Sequence, residues 1–491
     1  MTYFIGGLGL SSVATRGRVL PQSGIQIPLG TTNLDSFISG FPTGSEFRFL
    51  AGTYRLQNIG TLTARTGDIY HGTTSGSTLL TTLSGAQLLT GWTPDGSGHW
   101  FVTGVTVENP TGNPASCSTL AGNFDPDYPN CIHPEDLFMD DVVKLHVSTL
   151  PEVVPGTWYF DYAANTVYVG DDPTGMVVEL SAVQSLYTPL SSAQTVTLAD
   201  LIVEKFATPQ DSGAVNMGYS PFGGYFWVTE GCEVRYNHGS GVACDAETTV
   251  RNCYIHHNMR FGLNGAGWNN IVEGNEIAFN NYMKMFNPYD GAGGSKWVFS
   301  TDMIIRGNYS HDNWGPGLWT DINNIRILYE DNLVEDNHMA GIFHEISYEC
   351  EIVNNTLRRN GITSAAFPFY PSDGGIQVYD SRNVEVHGNL LEQNYQEIAC
   401  LSDARDGTVG IDGPWELTGL NVHGNTVVNT TVPAGGGRSG AETTHPVTQW
   451  NNNTYTLGSA IPERWYYNSI GYQQAGWQGI GFDTTSSITF V

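Results

Sequence analysis

The chain has 491 residues, and its 20 basic against 48 acidic side chains give a formal charge of −28. That sign excludes nucleic-acid backbone binding and argues against a polyuronate substrate unless Ca²⁺ screens the repulsion. A neutral glycan fits better, because aromatic residues, at 12% of the chain, supply rings on which sugars stack.

Residues 1–30 hold Gly, Ser, Thr and Pro with little periodicity and read as an arm or attachment segment. Their opening, Met1-Thr2-Tyr3-Phe4-Ile5-Gly6-Gly7, lacks a basic region and a sustained apolar stretch, so no secretory signal is expected there. Residues 31–109 form the next unit. Thr32-Asn33-Leu34-Asp35-Ser36-Phe37-Ile38 has a polar cap and apolar residues at helical spacing, predicting a short amphipathic helix. Phe47 to Leu56 then alternates like a strand pair around Gly52.

Residues 110–185 break the rhythm and read as an insert. Trp158-Tyr159-Phe160-Asp161 and Thr166-Val167-Tyr168-Val169, across a four-residue turn, carry a hairpin signature. Asp125, Asp127, Asp140, Asp141, Asp171 and Asp172 cluster here and read as solvated turns; a Ca²⁺ site among them is the alternative, and no other cofactor is expected. Seven cysteines do not suggest a disulfide scaffold, and Cys117 with Cys131 is the one pair worth testing for a bond. No run of 18 apolar residues exists, so no membrane span is predicted.

Residues 186–432 carry the organising pattern. Eight times the chain places Asn, or Cys, five residues before a second polar slot, which is Asn in seven of them. The pairs are Cys232 with Asn237, Cys253 with Asn258, Asn275 with Asn280 and Asn308 with Asn313. Asn332 with Asn337, Asn355 with Asn360 and Asn389 with Asn394 follow, and Asn425 closes with Thr430 in the second slot. The steps are 21, 22, 33, 24, 23, 34 and 36 residues, the mark of a solenoid with three insertions. Short alternating runs such as Ile325-Arg326-Ile327 and Val384-Glu385-Val386 read as strands with one face inward. Three strands and three turns per unit would make a rung, with rungs about 4.8 Å apart. Asn tolerates tight left-handed turns and, stacked on itself, forms an amide ladder. Cys232 and Cys253 then fall in one column as packed residues.

This phrase resembles the repeat of right-handed parallel β-helix proteins, the pectate-lyase-like superfamily. The resemblance implies an all-β, single-stranded parallel β-helix with a cap helix, a hairpin insert and a C-terminal cap. Residues 433–491 would supply that cap, Trp477 to Asp483 being similar to the closing segment of some secreted β-helix proteins. The scaffold hosts lyases, hydrolases, epimerases and phage tailspikes, so function must come from the site.

Long loops on a rigid scaffold are where binding resides. Three insertions follow the same turn: Tyr282 to Phe299 with Lys284, Phe286, Tyr289 and Trp297; Ala365 to Asp373 with Phe367, Phe369 and Tyr370; and Cys400 to Trp415 with Asp403, Arg405, Asp406 and Trp415. They should wall a groove. Glycines 241, 262, 317 and 341, nine residues past the first column, align the strands that follow. Leu318-Trp319-Thr320-Asp321 then lies over Ile342-Phe343-His344-Glu345, with Val242-Ala243-Cys244-Asp245 two rungs before. If Leu318 and Ile342 point inward, Trp319, Asp321, Phe343 and Glu345 point outward. Asp321 and Glu345 would stand about 5 Å apart, near the spacing of a retaining glycosidase. Their repulsion splits acid from base. His344 and His311, beside Asp312, would supply a base and proton shuttle. A lyase would instead need a cation, with Lys284 and Arg405 as loop candidates. The predicted site is therefore Asp321, Glu345 and His344 for catalysis, with Trp319, His311, Phe343, Tyr379, Asp403 and Arg405 for substrate. Met283, Met285 and Met303 read as packing. No nucleotide, zinc or serine-hydrolase motif is present.

The expected protein is a tailspike-like phage tail component that binds host surface glycan, with cleavage open and location in the virion. The alternative is a secreted bacterial glycoside hydrolase or polysaccharide lyase. Other tail proteins and a homotrimer are the partners implied by the first.

Overall fold

The computed structural model describes residues 22–112, 128, 130–187, 192–217, 225–361, 373–402, 405, 408–430, 438–443, 445–458 and 463–491. Parallel strands wind into a solenoid whose two long sheets hold 23 and 13 strands. The larger contains two ladders, joined by the long strand Gly293–Arg306, which pairs in both. Each rung thus contributes three strands, as the repeat predicts.

Turn chemistry explains why the strands are short. The residue before the first column is Gly231, Asn252, Gly274, Gly307, Asp331, Asn354, Gly388, Gly424 or Asn452, and every one has φ between +54° and +67°. Gly, Asn and Asp enter this left-handed region at low cost. The next residue drops into the coil and meets its counterpart one rung on. Asn275, Asn308, Asn332, Asn355, Asn389, Asn425 and Asn453 form one ladder, each Nδ2 donating to the next Oδ1 at 2.8–3.1 Å. A second ladder runs from Asn237 through Asn258, Asn280, Asn313, Asn337 and Asn360 to Asn394 at 2.9–3.0 Å. Main-chain amides share the same acceptors, so these buried groups are satisfied.

Thr430 does not take the last slot of the second ladder. Asn394 and Asn429 donate instead to the two oxygens of buried Glu397. Cys232 and Cys253 are free thiols in the first column, as expected, and the Cys253 amide donates to Asn275 Oδ1. The aligned glycines are required sterically. A Cβ on Gly241, Gly262, Gly317 or Gly341 would lie 2.7–2.9 Å from a second-ladder amide nitrogen and a main-chain oxygen of the next rung.

At the N-terminal end, the helix Leu34–Ser39 forms with Asn33 as N-cap and buries Leu34 and Ile38. The strands Glu46–Phe49 and Gly52–Arg55 form as expected but do not pair with each other; each joins a different sheet. Ile25–Ile27, inside the expected arm, is already a coil strand paired with Glu46–Phe49. Residues 1–21 of that arm lie outside the described residues. The hairpin Thr157–Asp161 with Thr166–Val169 is antiparallel, within an eight-stranded sheet. That sheet begins at Ala86, before residue 110, because Ala86–Leu88 and Trp100–Thr103 pair with its later strands. Asp140, Asp171 and Asp172 accept main-chain amides in its turns, and Asp171 and Asp141 also pair with Lys144 and Lys205. Asp125 and Asp127 lie outside the described residues. Cys131 is disulfide-bonded; its expected partner, Cys117, is likewise outside them.

The coil continues beyond residue 432. Gln449–Asn451 and Thr454–Leu457 extend the two sheets, because Asn452-Asn453 repeats the turn pair. Trp477 then plugs the end, fully buried against Trp450, Trp465 and Phe482, with its Nε1 donating to Asp483 at 2.7 Å.

Candidate active site

The strands Leu318–Asp321 and Ile342–Glu345 pair in the expected register: Trp319 opposite Phe343, Thr320 opposite His344, Asp321 opposite Glu345. Gly374–Tyr379 follows, placing Tyr379 opposite Glu345. The equivalent strand with Val242 lies three rungs before Leu318, not two, through Leu263 and the long strand that holds the first insertion. Leu318, Ile342 and Ile376 are in the core. Period-two alternation therefore sets Trp319, Asp321, Phe343, Glu345 and Tyr379 on the outer face. There Trp319 and Phe343 stack at 5.3 Å and 11°, with Tyr379 packed beside them.

Charge is arranged in alternation over this surface. Lys296 Nζ sits 2.9 Å from Asp321 Oδ2 and 3.7 Å above the Trp319 ring. Glu345 accepts from Trp319 Nε1 at 3.1 Å on one oxygen and from Arg405 at 2.6 Å on the other. Arg405 also lies over the Tyr379 ring, 4.2 Å from its centroid, and 3.6 Å from Asp380, whose other oxygen accepts from Ser402. Both members of the acid pair are nearly covered, and Arg405 is the outermost group over them.

Burial pushes the Glu345 carboxyl up to about 7, with the Asp321 charge adding to the rise, while Arg405 and Lys296 oppose it. The Glu345 carboxyl is thus protonated below this value and ionises as pH rises through it. Arg405→Gln removes a cation that favours the ionised form, so the Glu345 titration followed by ¹³C NMR should move up by about one pH unit; a downward or absent movement contradicts this electrostatic assignment.

The two histidines are not here. The same alternation that turns Glu345 outward turns His344 into the coil, fully buried, where its Nδ1 bonds Thr320 Oγ1 at 2.8 Å. Burial holds its pKa down to about 3. His311 belongs to the 13-stranded sheet on another flank, its ring engaged by Asp312 and Glu276. Lys284 sits over Trp314, 3.7 Å from the ring centroid, and the loop cation at the acid pair is Lys296 instead. Phe286 and Trp297 are buried, the first between insert and coil, the second in the coil core. Met283 and Met285 pack beside Phe286, and Met303 lies in the coil core. Asp403, Asp406, Phe367, Phe369 and Tyr370 lie outside the described residues. Lys296 and Asp380 were legible only through register: Lys296 pairs with Trp319, and Asp380 follows Tyr379.

Residues 222–391 match the family described as the right-handed beta helix region. No curated protein matches the chain. Among solved structures, the complex of XylC with xylose superposes with a TM-score of 0.61 at 11% identity, over 93% of this chain and 82% of that one. The A-module of the mannuronan C-5 epimerase AlgE4 from Azotobacter vinelandii gives 0.49 at 13% identity, over 95% and 97%. The catalytic unit of an α-1,3-glucanase from Streptomyces thermodiastaticus gives 0.41 at 13%, over 97% and 69%. At 11% identity the likeness to XylC is one of fold. No helix of the described residues is long and apolar enough to cross a membrane. The chain is a right-handed parallel β-helix protein.

Proposed function

We propose that this protein is a retaining glycoside hydrolase acting on a neutral glycan, with Asp321 as nucleophile and Glu345 as acid and base. The observation that carries the reading is the acid pair on adjacent rungs, about 5 Å apart by strand spacing, with the Glu345 carboxyl raised by burial and Asp321 ion-paired with Lys296 at 2.9 Å. In the first step Glu345 gives its proton to the departing glycosidic oxygen as an Asp321 oxygen bonds to the anomeric carbon and the C–O bond breaks. In the second, Glu345 takes a proton from water, whose oxygen displaces Asp321 and frees the sugar.

A neutral sugar follows from local charge. Lys296 and Arg405 are already matched by Asp321, Glu345 and Asp380, which leaves no surplus cation for a uronate. A lyase would also want a histidine or tyrosine base; His344 and His311 face elsewhere, and Tyr379, which does stand beside Glu345, is covered by Arg405. A virion tail protein and a secreted enzyme would use the same pair, so the reading concerns chemistry and holds in either setting. The xylose in the complex of XylC makes xylosides sensible first probes beside glucosides, galactosides and mannosides. The test is cleavage of these para-nitrophenyl glycosides, both anomers, followed by NMR. The expected result is that the first sugar released keeps the substrate's anomeric configuration. Inversion, or no cleavage of any neutral glycoside or of a neutral polysaccharide, would overturn the reading.

A further inference from the structure

Next to the acid pair, on its N-terminal side, the outer face changes character. The strand Phe261–Trp268 runs through Gly265-Ala266-Gly267, and this stretch is part-exposed and nearly without side chains. It lies one rung before Lys296-Trp297-Val298, since Asn264 pairs with Lys296 and Gly265 with Trp297. That rung in turn precedes Trp319-Thr320-Asp321. The result is a low floor of Gly265, Ala266, Gly267 and Val298 that runs along the coil axis and leads to Asp321.

Each side of this floor has a different chemistry. On one side stand Asn264 and Lys296, the Asn264 Oδ1 buried and without a hydrogen-bond partner. On the other stand Trp268 and Phe299, which are 41% and 53% exposed. Phe299 donates its main-chain amide to Ile322 O, which places it one rung from the residue that follows Asp321. Trp268 is one rung further, with Tyr225 against it at 5.7 Å. Among the described residues, the Phe and Trp rings left this open are Trp268, Phe299, Phe226, which adjoins the Tyr225 that packs on Trp268, and Phe490 at the far C-terminal end. Apolar rings so exposed mark a contact surface, and a ring wall opposite a polar wall suits a pyranose, which offers C–H faces and hydroxyl edges.

We infer that this trough is a set of additional sugar subsites, so that the protein holds a neutral glycan chain extending from the acid pair toward its N-terminal end. The identity of the occupant rests on the proposed glycosidase reading, whereas the binding itself can be read out without catalysis. The experiment is affinity electrophoresis of the Glu345→Gln protein in native gels containing arabinoxylan, mixed-linkage β-glucan or galactomannan. Retardation by at least one polymer is expected, with each of Trp268→Ala and Phe299→Ala weakening it about fivefold to tenfold and the pair abolishing it. Both rings are exposed, so unchanged thermal unfolding of the variants should accompany the loss. With wild-type background, kcat/KM on a hexasaccharide of the retained polymer should fall by a similar factor, while a para-nitrophenyl monoglycoside is cleaved as before. Retardation unaffected by the double variant, or none in any of the three gels, would overturn the subsites. A failure to cleave any glycoside would strike the catalytic reading alone and leave the gel result to stand or fall separately.

Discussion

Glu345→Gln is expected to lower kcat on an oligosaccharide by roughly a hundredfold to ten-thousandfold, the range for loss of a general acid. Gln keeps the shape of the side chain but has one acceptor oxygen, so it can serve Trp319 Nε1 or Arg405 and not both. The loss should still fall more on kcat than on KM. On an activated para-nitrophenyl glycoside the first step needs less protonation, so the loss there should be smaller. Asp321→Asn should remove turnover on both substrates alike, since no leaving group substitutes for a nucleophile. It should also let the Glu345 pKa relax downward, because the Asp321 charge contributes to raising it. A Glu345→Gln enzyme within tenfold of wild type on the oligosaccharide would remove this acid from the mechanism.

The second large effect concerns the coil itself. Asn332 sits mid-ladder. Its Oδ1 accepts from the Asn308 amide and Nδ2, and its own Nδ2 donates to Asn355 Oδ1 and Ile305 O. Asn332→Ala leaves several of these buried groups short of a partner at about 1–3 kcal/mol each. A loss of about 3–5 kcal/mol in denaturant unfolding is expected. Arg326→Ala is the matched control, because Arg326 pairs with Asp302 on the same rung face in open solvent. Exposed pairs contribute at most about 1 kcal/mol. Equal losses for the two variants would mean that the ladder carries no special share of stability.

Much of this was legible in the sequence because the solenoid repeats its own constraints. Each turn must enter the left-handed region and then satisfy a buried amide: before the first column this falls to Gly, Asn or Asp, whereas before the second it falls also to Tyr236, His257, Phe279, Arg359 and Gln393, so there only the Asn itself marks the turn. Once those columns are aligned, strand register follows, and with it the juxtaposition of Asp321 and Glu345. Facing is equally determined by period two, and the same rule that puts Glu345 outside puts His344 inside. Adjacent residues of one strand cannot share a face, so His344 is excluded from any site that Glu345 enters. What the sequence conceals is anything that depends on loop conformation. Lys296 and Lys284 occupy one insertion, and nothing in their spacing says which reaches Asp321; the long strand Gly293–Arg306, continuous across two ladders, decides it for Lys296. Phe286 illustrates the converse. It reads as a groove ring but is needed to fill the seam between the insert and the coil. Thr430 was misplaced by counting, because Glu397 takes a ladder position with a carboxylate where an amide was expected.

The most direct measurement is mass spectrometry of the protein incubated with a fluorinated, slow-turnover glycoside of whichever sugar it cleaves. The account predicts one glycosyl unit attached through an ester to the peptide containing Asp321, formed by wild type and absent from Asp321→Asn. Turnover of the natural substrate with no adduct, or an adduct on any other residue, would contradict it.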